Sequence, residues 1–143
     1  MSKAKYSDVT SDVSNMLTNV MNAFPDLFIH VKRNDVLLVF LDKPKNSWKA
    51  KIRLLNGFYR MLTQKKIVIE LWKQEWELLK SKPAEQALLL YRELYKVDLN
   101  KEKSDYKLVK EDLKDFKKII EKVGLHSETV DQFFSGVVSP VNA

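Results

Sequence analysis

The stretch "ALLLYRELYKV" (residues 87–97) decides how the chain is read. Ala87, Leu90, Tyr91 and Leu94 recur with a helical period and define one apolar side. Arg92 and Lys96 stand one turn apart, nearly opposite that side, and Glu93 follows Arg92. Pro83 occupies a favourable first-turn position, so the spacing predicts a helix over 84–97.

Upstream, "KIVIEL" (66–71) is the clearest strand, and "WKQEWELLKSK" (72–82) reads as a short helix or turn. In "WKAKIRLLNGFYRML" (48–62) Ala50, Ile52 and Leu54 alternate like a strand while Leu54, Leu55, Phe58, Met61 and Leu62 recur like a helix, which indicates a strand first and then a short irregular or helical piece after Asn56-Gly57. "LFIHV" (27–31) and "VLLVFL" (36–41) flank the turn-like "KRND" and suggest a hairpin, the second run buried on both faces. Tyr6, Val9, Val13, Met16, Leu17, Val20, Met21 and Phe24 form a 3.6-period stripe over 6–24, ended by Pro25.

Downstream, "NKEKSDYK" (100–107) is a polar connection. Leu113, Phe116, Ile120 and Val123 give a further helical stripe ended by Gly124, and "SETVDQFF" (127–134) a last short helix capped by Ser127. The order helix, strands, helices indicates an α+β domain, with one domain over 1–135 and a flexible tail over 136–143.

Composition bounds the function. The 143 residues fit one domain with a moderate core. No cysteine is present, which excludes disulfides and any Cys-ligated metal site. Three scattered glycines exclude a phosphate loop, and two histidines, His30 and His126, support no Ser-type triad. No apolar run reaches the ~20 residues of a membrane span, and the N-terminal residues lack the apolar core of a secretory signal. The expectation is a soluble, cytoplasmic protein without a membrane partner. The net charge of +6 is compatible with nucleic-acid binding, although most lysines alternate with acids on helix faces.

A helix holds zinc with two histidines at i and i+4, and the glutamate after the first polarises the metal-bound water. In "YRELYK" that spacing and the glutamate survive, with Arg92 and Lys96 in place of the imidazoles. The strand "IVIELW", the turn "KQEWELLKSKPAEQ", the helix "ALLLYRELYKV" and the later "DYKLVKEDLKDF" occur in this order. The series resembles the phage metallopeptidase family of small zincin-like proteins, over residues 36–124. The resemblance implies a short sheet with an N-terminal helix, the former active-site helix and C-terminal helices. It puts the former metal ligands at Arg92, Lys96 and Glu111, the last followed by Asp112, and the catalytic glutamate at Glu93.

Arginine donates hydrogen bonds only, and lysine must lose a proton before it offers a lone pair. Two fixed cations repel a dication, so the expectation is no metal, no cofactor and no catalysis. The four residues Arg92, Glu93, Lys96 and Glu111 are expected to form an ion-pair cluster in place of the metal. The competing reading is a polar helix face that is merely solvated. A protein that keeps the scaffold without its chemistry is expected to act by binding. Given the family's home, the partner is a host or phage protein and the role that of an inhibitor or adaptor in the host cytoplasm. Two alternatives stay open: a metal-dependent peptidase with non-standard ligands, and a nucleic-acid-binding protein. The latter would use Lys45, Trp48, Lys49, Lys51, Arg53, Tyr59 and Arg60, where cations alternate with rings that stack on bases.

Overall fold

The computed structural model describes residues 5–42, 49–103 and 105–109. Strand β1 (Tyr6–Asp8) is followed by helix α1 (Ser11–Ala23). Thr10, extended at the N-cap, hydrogen-bonds the Asp12 carboxylate in the first turn, where a negative charge suits the helix dipole. Phe24 precedes a proline, which disfavours helical backbone; it sits at φ −128°, ψ 60° and ends α1. Pro25 then opens the one-turn helix α2 (Pro25–Phe28).

A 3-10 turn at Arg33–Asp35 leads into β2 (Val36–Leu41). Then come β3 (Ala50–Leu54), α3 (Gly57–Thr63), β4 (Ile67–Trp72), α4 (Lys73–Leu78) and α5 (Pro83–Leu94). A hairpin of β5 (Val97–Asn100) and β6 (Asp105–Leu108) follows. Gly57 sits at φ 42°, where any side chain would be strained, and it lets the chain turn from β3 into α3.

The main sheet has the order β1-β2-β4-β3. β2 runs parallel to β4, with Val36 opposite Ile67, and the edge strands β1 and β3 are antiparallel to their neighbours. One face is uniformly apolar: Val36, Leu38, Phe40, Ile52, Ile67, Ile69 and Leu71 pack on Val13, Leu17 and Val20 of α1 and on Ala87, Leu90 and Leu94 of α5. The strands therefore carry the core on one side and leave Leu37, Val39, Val68, Glu70, Lys51 and Arg53 on the other.

Two devices fix the helices on this sheet. Tyr91 of α5 meets Phe24 and Phe28 edge-on, with ring centroids 5.0 and 5.5 Å away. The Arg33 guanidinium donates to Ser14 Oγ, to Thr18 Oγ1 and to the Val36 carbonyl, joining α1 to the start of β2.

The α+β expectation holds, as do the strand that opens 48–62 and the strand at 66–71; the piece after Asn56-Gly57, irregular or helical by sequence, is helix α3, and the helix or turn after β4 begins as helix α4. Four expectations are corrected. Residues 27–31 form no strand: Pro25 starts a helical turn and Phe28 is buried against Tyr91. The 27–41 hairpin does not exist, because β2 takes β4 and β1 as neighbours. The first helix begins at Ser11, since Tyr6–Asp8 is drawn into the sheet opposite Val39–Leu41. Helix α5 stops at Leu94, and the "polar connection" contains Asn100, the last residue of β5, and Asp105–Lys107 of β6, which pair as a hairpin. The helices expected over 113–134, the tail 136–143 and Asp112 lie outside the described residues.

Candidate functional site

The end of α5 carries the first constellation. Ala87, Leu90, Tyr91 and Leu94 face the core as their period requires, which turns Arg92 to solvent. Glu93 is buried. Lys96 lies just beyond the helix, whose cap Tyr95 keeps helical dihedrals, and so it stays within one turn of Glu93. Its Nζ reaches back to Glu93 Oε2 at 2.6 Å. A buried carboxylate requires such a partner, because an unpaired charge away from water is strongly destabilising.

This is part of the expected cluster: Glu93 and Lys96 are joined, Arg92 is exposed, and Glu111 lies outside the described residues. His30 belongs to a different contact. Its Nε2 sits 2.8 Å from the Val97 carbonyl, which can only accept, so the ring donates there and ties the turn after α2 to the start of β5. His126 lies outside the described residues. Among the described residues no three His, Cys, Asp or Glu side chains gather to hold a metal ion.

The second constellation lies on the other face of the sheet. A groove of about 480 Å³ has a floor that includes Leu37, Val39 and Val68, with Tyr6 and Tyr59 at its sides. Glu70, on the central strand β4, is buried in it. Arg53 Nε donates to Glu70 Oε1 at 2.7 Å, and the Tyr6 hydroxyl lies 3.4 Å from Oε2. Burial, with the Glu70 charge adding to it, raises the Tyr6 hydroxyl's pKa.

The basic–aromatic patch expected from the sequence is only partly assembled here. Lys51 and Arg53 share the groove face of β3, and Arg53 and Tyr59 line the groove. Lys49 lies 3.9 Å from Glu75, beside α4. Arg60 turns away to make a fork with both Asp105 oxygens at 3.1 Å, which pulls the Asp105 carboxyl below its ordinary range. Lys45 and Trp48 lie outside the described residues. The sequence reading missed Glu70 and Tyr6. The signal for Glu70 was present: it is the one acid in the apolar run "IVIELW".

A sequence model of the family described as Putative phage metallopeptidase matches residues 4–138. No curated protein and no solved structure matches the chain.

Proposed function

Since the chain belongs to the putative phage metallopeptidase family, we propose that it is a member without metal catalysis, which acts by binding another protein of host or phage. The observation that carries this reading is the contact between Lys96 Nζ and Glu93 Oε2. In a helix of this kind the glutamate must face a metal-bound water, and the residue four after the first ligand must offer a lone pair. Here Glu93 is engaged by an ammonium, that ammonium stands at the second ligand position, and the first is a guanidinium without a lone pair to give. The donor set of this helix does not fit zinc.

Binding is supported by what the scaffold offers instead, a groove with an apolar floor, tyrosine sides and one buried carboxylate paired with a half-exposed arginine. Such a site takes an apolar side chain from a partner and orients it with few polar groups. The nucleic-acid alternative has less support, since the two arginines of the patch are already committed to Glu70 and Asp105.

The test is metal analysis of the purified chain with a peptidase assay of wild type and Glu93→Gln. The expected result is substoichiometric zinc and no difference between the two. One zinc per chain, or activity lost on Glu93→Gln, overturns the reading. For the binding half, Val39→Glu in the groove is expected to abolish capture of a partner that the wild-type chain retains. Retention by the variant removes the groove from the account.

A further inference from the structure

Helix α3 is built the wrong way round for a surface helix. Phe58, Met61 and Leu62, at i, i+3 and i+4, share one face; with Tyr59 they are 62–64% exposed. Arg60, the charged residue of the helix, points inward to Asp105. No residue of α3 is buried. A ridge of four large apolar side chains is thus held out to water by an ion pair at its back, an arrangement that marks an interaction surface.

Charge says what covers it. Between Asp42 and Glu70 the chain has eight lysines and arginines and no acid, whereas the rest has 17 cations against 19 acids. The whole basic surplus lies in the segment that builds β3 and α3. A second copy of the chain is a poor occupant, because a symmetric contact would press like charges together. Arginine forks suit fixed carboxylates or phosphates, yet Arg53 and Arg60 are spent within the protein. The lysines have no ion-pair partner: among the described residues no carboxylate pairs with Lys51, Lys65 or Lys66, while Lys65 Nζ donates to the Asn34 carbonyl at 2.7 Å and Lys66 Nζ lies 6.0 Å from the Tyr106 ring centre. A surplus of ammonium groups in the segment that carries an aromatic and aliphatic ridge matches an anionic lipid surface, where rings sit at headgroup level, aliphatic tips enter the acyl boundary and lysines meet phosphates.

We propose that α3 is an interfacial anchor that seats this chain on anionic membrane surfaces through Phe58, Tyr59, Met61 and Leu62, with the lysines of the same segment as the electrostatic component. It requires no spanning segment; no helix among the described residues is long and apolar enough to cross a membrane.

The experiment is flotation of the full chain with vesicles of phosphatidylcholine alone and with about one-third phosphatidylglycerol. The chain is expected to float with the anionic vesicles and stay behind with the neutral ones. Met61→Ser/Leu62→Ser, at exposed positions and without change of charge, is expected to lower the bound fraction about tenfold while the melting temperature stays put. Lys65→Gln/Lys66→Gln is expected to weaken binding and reduce its salt dependence. A wild type that ignores both vesicles overturns the proposal. A serine variant that floats as well as wild type does so too, because the attraction is then charge alone. If the chain ignores vesicles but binds a single-stranded oligonucleotide, the face belongs to nucleic acid and the proposal fails.

Discussion

Lys96 Nζ lies 2.6 Å from Oε2 of Glu93, across the end of α5, with Glu93 buried and Lys96 about a quarter exposed. The pair is unequal, and the inequality is measurable. Removing the cation takes the Lys96 ammonium away from a buried carboxylate, whereas removing the carboxylate leaves an ammonium that can rehydrate. Lys96→Met is expected to cost about 3 kcal/mol and Glu93→Gln only about 1 kcal/mol in urea unfolding. Equal losses would mean that Glu93 is satisfied without Lys96.

A second buried carboxylate allows a sharper measurement. Glu70 depends on Arg53 at 2.7 Å, with the Tyr6 hydroxyl a weak second donor at 3.4 Å. Arg53→Met should cost about 2 kcal/mol, because Glu70 stays behind unpaired. Adding Glu70→Leu on the apolar floor should restore most of that loss, so the double variant is more stable than Arg53→Met alone. A double variant as unstable as the sum of the singles would show that the pair contributes nothing as a pair.

The Arg60–Asp105 fork gives a pH dependence. Arg60 is the first cause of the lowered Asp105 pKa, followed by the Tyr106 backbone N–H. A carboxylate with a depressed folded pKa contributes stability above its unfolded value, near 3.8, and loses it as pH falls through the folded value. Asp105→Asn is therefore expected to be less stable than wild type at neutral pH, by about 1 kcal/mol at most for so exposed a pair. The gap should close below the ordinary carboxylate range. Thermal melts of both proteins between neutral and strongly acid pH check it, and a gap that persists in acid would assign the loss to packing.

The elements with a strong local pattern were legible: α5 from Ala87, Leu90, Tyr91 and Leu94, and β4 from its apolar run, interrupted by Glu70 alone. Partner choice was not. β2 was expected to pair with its nearest apolar neighbour, yet Val36 lies opposite Ile67, and no local pattern encodes that register. The segment 27–31 has strand-like residues, but Pro25 and the burial of Phe28 against Tyr91 override their propensity. At the site, the helical wheel rightly turned Arg92 outward and put Lys96 on the same polar side. It could not show that Lys96 folds back onto a buried Glu93, because the helix ends between them. Glu70 escaped notice for a similar reason: one acid in an apolar strand acquires meaning only when Arg53 and Tyr6 arrive from two other strands.

The family's ligand positions can be tested by restoring what they lack. In Arg92→His/Lys96→His/Glu111→His, two imidazoles stand one turn apart at the end of α5, the first with Glu93 beside it, and the third residue is supplied from the segment after β6. If residues 92, 96 and 111 share a site, the triple variant should bind one zinc per chain in chelator competition, while wild type binds none. Zinc at about a hundred times its dissociation constant should then stabilise the variant by about 2.7 kcal/mol, and the wild type not at all. Arg92→His/Lys96→His alone should bind more weakly, having two strong donors rather than three. A triple variant no better than the double would mean that residue 111 does not reach α5, and the carry-over from the family would end at Lys96.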